Sequence, residues 1–414
     1  MGSSSLPTIE ILARVPLIAR LSGPNQNRLA IQTILTPVNL EECRKSIYKA
    51  LTTFLYQIGP KLKVDEYRAF QALRDLHRLG RALNQRIFGA QHYNTVSNFL
   101  KREFPLWTRC DGSGYQPTVL RMINAEGHSL PLEFFPLFDF AAPSNFNGST
   151  ELFSLAASFP AMSTIVSRVI SGTRTDASDT MLENGGKLRL RFFQHAGVQA
   201  AKLGFKHLTD KVNGCEVLGP WPERSLTHAD FVSELASHLW ERGTAPKSSL
   251  SMQDHVQHFA CHCHTECADS MQYSLRMAHR GSRLWLSYDQ RVTIQELLGE
   301  ISGFPQRLGR PTAGLVFLNA CGSSKMTPIG VASFPSLFLF NLENEAVVGT
   351  ETPIPDEFAT EFATEFYRQF VQGVSMGEAL HRARWTMLKV HKNPLGILYT
   401  AYGNPGLRVR KPIL

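Results

Sequence analysis

Two short apolar runs constrain this 414-residue chain more than anything else in it. The first, VQHFACHCHT at 256–265, ends in histidines, cysteines and a threonine; the second, GLVFLNACGSS at 314–324, ends in cysteine, glycine and serines. Each reads as a buried parallel strand whose last residue emerges at a loop. In open α/β sheets, reactive groups collect at the carboxyl ends of neighbouring strands. A histidine at one such end and a cysteine at the next supply a thiol nucleophile and an acceptor for its proton.

The pattern around these runs predicts their setting. Residues 8–35 alternate apolar and polar about the turn-rich SGPNQN and read as a hairpin. Helical spacing follows over 39–58, 64–88 and 92–103, with Gly59 and Pro60 breaking the first two apart. This N-terminal module, 1–110, carries no chemical constellation. From Tyr115 strands alternate with helices, which implies a mostly parallel sheet. Strands are expected near 118–123, 188–194, 214–218, 254–261, 283–287, 314–320, 345–349 and 397–401. Helices are expected over 196–211, 226–241, 293–301, 331–342, 356–372 and 375–391. The segment 139–185, rich in Ser, Asn, Thr and Gly, reads as a long insertion with partial helix around 151–170.

Composition removes several classes. Hydrophobic residues make up 43% and charged residues 19%, the balance of a globular chain rather than a disordered one. No run of about 18 uncharged apolar residues exists, so no membrane span is expected. MGSSSLP lacks the layout of a secretory signal, and Leu6 breaks the myristoylation pattern. Seven cysteines, three of them crowded at Cys261, Cys263 and Cys267, do not resemble a secreted disulfide framework. A reducing cytoplasm is the expected compartment. The net charge of +8 is scattered, and the short basic tail from Arg408 to Lys411 reads as a solvated end, so direct nucleic-acid binding is not expected.

Alternation along the first run puts His258, Ala260, His262 and His264 on one face and Cys261 and Cys263 on the other. His262 would take the thiol proton of Cys321 and later return it to the leaving amine. Gly322 permits a tight turn and close approach of a substrate backbone, and the amides there could donate to a developing oxyanion. No third residue is required, because a thiol is far more acidic than a serine hydroxyl. Together these features read as the dyad of a cysteine peptidase, with no cofactor. The rival is a metal site: Cys261, His262, Cys263, His264 and Cys267 are dense in ligands. Their spacings, C-x-C and C-x3-C, lack the partner pair downstream that structural zinc sites use.

The stretch 118–414 resembles the CHAT domain, a caspase-like and separase-related cysteine peptidase domain. HFACHC at 258–263, LVFLNAC at 315–321 and VVGTETPIPD at 347–356 carry the resemblance. It continues in FYRQFVQGVSMGEALHRA at 366–383, YGNPGLRV at 402–409 and, upstream, SLPLEFFP at 129–136. The resemblance implies a caspase-like α/β sandwich over 111–414, its mostly parallel central sheet flanked by helices. It implies His262 as general base and Cys321 as nucleophile. It also implies that Asp356 lines the pocket for the residue before the scissile bond, where a carboxylate would pair with Arg or Lys. The alternative for Asp356 is a cap on a helix starting near 357. Glu133 is implied as a brace for the active-site loops, with an ordinary surface glutamate as its alternative. Two departures stand out: Cys263 replaces the glycine after the histidine, beside the oxyanion amides, and Thr352 replaces a tryptophan of the pocket wall. The resemblance further implies a regulated protease of a prokaryotic defence or cell-death pathway, a zymogen awaiting a sensor or repeat-protein partner, with a protein or peptide substrate. A catalytically silent interaction module and a zinc-binding regulatory protein are the alternative readings.

Overall fold

A computed structural model describes residues 8–12, 18–22, 27–103, 118–124, 130–137, 142–143, 145–170, 181–182, 187–223, 226–241, 255–264, 282–286, 290–304, 313–320, 323 and 333–410. The chain divides into two compact units, one formed by residues 1–172 and 380–400, the other by 173–379 and 401–414.

The first unit opens with strands β1 (Thr8–Leu12), β2 (Ile18–Ser22) and β3 (Arg28–Gln32), followed by helices α1 (Pro37–Ile58), α2 (Glu66–Phe88) and α3 (Ala90–Glu103). The hairpin expected around SGPNQN is present as β2–β3, and β1 adds to it in an antiparallel meander. Thr36 caps α1 through its side chain, and Pro37 stands at the first helical positions, where its missing N–H costs nothing. Asp65 caps α2 in the same way.

Strand β4 (Val119–Asn124), helices α4 (Ser149–Ala156) and α5 (Pro160–Ser163), and strand β5 (Ile165–Ile170) complete the N-terminal part of this unit. β4 runs parallel to both β1 and β5. β5 corrects the sequence reading, which extended partial helix to 170. Its sequence IVSRVI is β-branched at four of six positions and buried throughout, and both properties suit a central strand better than a helix.

In the second unit β6 (Met181–Leu182) is followed by β7 (Leu188–Gln194), α6 (Gln199–Lys211), β8 (Cys215–Trp221), α7 (His228–Glu241) and β9 (Val256–His264). Then come β10 (Arg283–Trp285), β11 (Arg291–Thr293), α8 (Ile294–Ser302), β12 (Ala313–Ala320), α9 (Phe334–Ser336), β13 (Asn344–Thr350) and α10 (Asp356–Phe370). The helix expected over 331–342 is short: α9 passes directly into a π turn at Leu337–Asn341. The unit boundary falls within α11 (Met376–His391), and β14 (Tyr399–Gly403) and β15 (Arg408–Val409) end the chain's regular structure.

The strands of this unit lie in the order β8–β7–β9–β12–β13, every neighbour parallel. The mostly parallel sheet expected from strand–helix alternation is therefore the observed architecture. The order has a direct consequence. From β7 the chain moves outward through α6 to β8, then crosses back to β9 on the other side of β7 and proceeds to β12 and β13. Connections leave β7 and β9 in opposite directions, which makes this the topological switch point, the place where open parallel sheets leave a crevice at their carboxyl edge. Beyond Cys261, β9 outruns its parallel partner and pairs antiparallel with β10, with His262 opposite Trp285.

Close approach of β9 and β12 depends on one glycine. A Cβ at Gly314 would stand 1.8 Å from the His255 carbonyl oxygen, so no side chain fits there. No described helix is long and apolar enough to cross a membrane.

Candidate active site

The sheet register brings the two sequence runs together. In the β9–β12 pairing Ala320 lies opposite Cys261, and the next residues along the two parallel strands are Cys321 and His262. Cys321 and Gly322 lie outside the described residues, as does Cys267; Cys263 contributes only its backbone, opposite Leu284 of β10. His262 is exposed to solvent at the end of its strand, whereas Cys261 is buried.

The chain on either side of Cys321 is pinned by hydrogen bonds. The Ser323 N–H donates to the Ala320 carbonyl at 3.1 Å. The Ser323 hydroxyl donates to the Leu318 carbonyl at 3.1 Å and accepts the Thr350 N–H at 3.2 Å. The Thr350 hydroxyl donates to Ala320 from 2.8 Å. Both side chains are buried, so these bonds are not exchanged with water.

A pocket with about 580 Å³ of open space lies at this carboxyl edge. Its base is formed by Phe192, His258 and Asn319 from the strands; Ala201 and Gly204 of α6 and Ala359, Thr360 and Ala363 of α10 form its walls. The small residues on both helices create the space. His262, Cys261, Ala320, Thr350 and Asp356 also border it. Alternation correctly put His258, Ala260 and His262 on one side, but Cys261, assigned to the other, reaches the same pocket. Asn319 donates to the Ala359 carbonyl at 3.1 Å and fastens the first turn of α10 to the sheet.

His258 lies at the bottom between two parallel rings, Phe192 at 4.9 Å and Phe317 at 5.2 Å. Its Nδ1 shares a 3.0 Å hydrogen bond with the Tyr367 hydroxyl. Burial pushes this imidazole down to about 3, and burial raises the Tyr367 phenol well above its ordinary value. Both are therefore uncharged across the physiological range, and the pocket floor is neutral.

Asp356 is the first residue of α10, and Pro355 occupies the N-cap position, so the capping alternative does not hold. Its exposed carboxylate stands in the first turn, where the helix dipole favours negative charge, and borders the pocket. Thr352, where the pocket wall was in doubt, is buried and does not line the pocket; Ile354 does. The surface alternative for Glu133 does not hold. It is fully buried in the first unit, where Arg168 lies 2.6 Å away and the Thr400 hydroxyl donates to it at 3.0 Å. A carboxylate so enclosed is neither a surface glutamate nor available to a substrate.

His195 was missed by the sequence reading. It follows β7, is 2% exposed, and its ring packs edge-on against His262 with centroids 4.8 Å apart. The signal existed: LRLRFFQH is a third expected strand that ends in a histidine. Among the described residues, no group of three His, Cys, Asp or Glu side chains gathers as a metal would need.

Residues 169–402, more than half of the chain, match the CHAT domain family. The chain belongs to that family. Membership carries the caspase-like fold class, in keeping with the parallel sheet and flanking helices of the second unit. No curated protein sequence matches the CHAT chain. Among solved structures, it is similar to the separase of the Saccharomyces cerevisiae separase–securin complex, with 10% identity and a TM-score of 0.44. That match covers 98% of this chain, which spans only 30% of the separase chain's length. It is also similar to the Arg-specific cysteine proteinase gingipain R, with 10% identity, a TM-score of 0.40, and coverage of 82% of this chain and 76% of that one.

Proposed function

We propose that this CHAT protein is a cysteine endopeptidase working through His262 and Cys321. The single observation that carries the reading is the register of β9 and β12, which makes these two residues the next positions on adjacent parallel strands beside the switch point of the sheet. His262 accepts the thiol proton, and the thiolate attacks the scissile carbonyl to give a tetrahedral adduct. Collapse of the adduct expels the amine, protonated by His262, and leaves a thioester that water hydrolyses with His262 again as base. Backbone amides beside Gly322 and Cys263 donate to the oxyanion.

Asp356 gives the pocket a preference for Arg or Lys before the scissile bond, supported by its place on the pocket rim and by the lack of any other acid among the described lining residues. By family resemblance the enzyme is a cytoplasmic zymogen of a prokaryotic defence or cell-death pathway. A sensor or repeat-protein partner releases it to cleave a partner protein.

The test is labelling by an electrophilic peptide probe ending in Arg, applied to the native chain, Cys321→Ala and His262→Ala. Labelling of the native chain alone is the expected result. Labelling that persists in Cys321→Ala, at Cys261 or Cys263, would mean that another thiol is the nucleophile. Absence of labelling in every form, with the fold intact and a candidate activator present, would favour a silent interaction module.

A further inference from the structure

We propose that His195 is a positioning residue for His262, fixing the orientation of its ring. The proposal rests on the reading of His262 as general base and adds to it a residue from a third strand.

The placement of His195 follows from the sheet. β7 ends at Gln194, and the backbone continues one residue further in register, the His195 N–H donating to the Ala260 carbonyl at 2.9 Å. On the other side the Ala196 N–H donates to Leu286 at 2.9 Å, so the strand end is held from two directions. These bonds set His195 opposite Cys261, one residue before His262 on β9, and its ring reaches that of His262. The rings meet at 66° with centroids 4.8 Å apart, an edge-to-face arrangement. A ring held this way cannot swing freely about its side-chain torsions without displacing its neighbour.

The protonation state of His195 is set by a hydrogen bond. The Gly197 N–H donates to its Nδ1 at 3.0 Å, so Nδ1 is an acceptor and the ring proton belongs on Nε2. Protonating His195 would place an N–H at Nδ1 against the N–H of Gly197, losing that bond and opposing two donors. Burial, and then the charge of His262, also hold His195 below its ordinary value. Two imidazoles in contact do not both become cations readily. His195 therefore meets the His262 ring with its Nδ1 committed to Gly197 and its proton on Nε2.

Several described groups surround the pair. On β9, His258 is neutral and Cys261 is buried. On β10, Trp285 pairs with His262 through the backbone, and Arg291 of β11 lies over the Trp285 ring, 5.6 Å from its centroid. On α10, Asp356 borders the same pocket and is the one acid among its described lining residues.

The experiment has two readings on the full chain. The first follows the histidine ring nitrogens by NMR through a pH titration of the labelled native protein, with His195→Gln and His262→Gln used for assignment. His195 is expected to keep its proton on Nε2, with Nδ1 as acceptor, and to titrate below the ordinary histidine range. Titration of His195 at or above the ordinary histidine value, or a proton on its Nδ1, would overturn the proposal. This reading does not depend on peptide cleavage, so it stands even if the peptidase assignment fails.

The second compares His195→Phe, which keeps a ring against His262, with His195→Asn, which keeps an acceptor for Gly197. With a cleavable peptide, His195→Phe is expected to keep kcat within about threefold, and His195→Asn to lose about tenfold or more with KM unchanged. Full activity in His195→Asn together with loss in His195→Phe would assign His195 to the turn alone and overturn the positioning role.

Discussion

Thr350, the last residue of β13, gives its hydroxyl proton to the carbonyl of Ala320, the last residue of β12, across 2.8 Å. The bond joins the ends of two strands at the residue just before the proposed nucleophile. Thr350→Val keeps the shape and removes the donor, and the Ser323 N–H still satisfies the carbonyl. The expected stability loss is therefore small, about 0.5–1.5 kcal/mol by denaturant unfolding. Probe labelling of Cys321 should slow by more than this loss explains, because the strand end is no longer held. Labelling at the native rate would remove the clamp from the argument.

Glu133, Arg168 and Thr400 form a buried polar cluster in the first unit, and Arg384 is fully buried nearby, donating to the carbonyls of Ala161 and Tyr399 at 2.6 and 2.7 Å. Burial lowers Arg384 to about 10, and the charge of Glu133 acts against that. Glu133→Ala leaves buried cations without their acid, and a loss of about 3–5 kcal/mol is expected. Unfolding in urea measures it. A loss below 1 kcal/mol, within the range of surface pairs, would mean that water reaches the cluster.

Asp356 is expected to govern substrate choice rather than chemistry. Asp356→Asn should lower kcat/KM for an Arg peptide by about 10- to 100-fold, the value of a charge-assisted hydrogen bond. A norleucine peptide should be unaffected. Equal losses on both peptides would place Asp356 in the machinery of the reaction instead.

Three histidines make stability fall on mild acidification. Burial lowers His258 to about 3, His381 to about 3 and His238 to about 4. Between those values and about 6.5 the unfolded chain binds protons that the folded chain does not, so stability is complete above that window and declines as pH falls through it. Each group contributes a slope of up to about 1.4 kcal/mol per pH unit. His381→Gln keeps a donor for the Met162 carbonyl, which lies 2.8 Å from His381 Nε2, and should reduce the slope by one proton. Urea midpoints measured from pH 7.5 to 5 give the answer, and an unchanged slope would contradict it.

How much of this was legible beforehand follows from what each signal encodes. The runs at 256–265 and 314–324 are apolar on both faces and end in chemistry, which is enough to predict parallel strands and a shared edge. Residues 165–170 were misread because a fully buried run has no alternation to separate strand from helix, and only its β-branched content pointed the right way. The helix expected over 331–342 reduced to a short helix and a π turn, a distinction that apolar periodicity does not encode. At the site, Asp356 was legible because a motif surrounds it. Thr350 and Ser323 were not, since their role depends on which strands become neighbours, and two hydroxyls far apart in sequence carry no mark of that. His195 fell between the two cases: its strand was foreseen, but its proximity to His262 required the order β8–β7–β9–β12–β13.

The walls of the pocket, built from Ala201, Gly204, Ala359 and Ala363, separate two properties that many enzymes entangle. A Cβ added at Gly204 would meet only ordinary contacts, Phe192 and Thr360 at 3.7 Å, so α6 accepts alanine there while the strand ends keep their bonds. The pocket can therefore be reshaped by a methyl group at Gly204 without touching the bonds that hold Ala320 and Ser323.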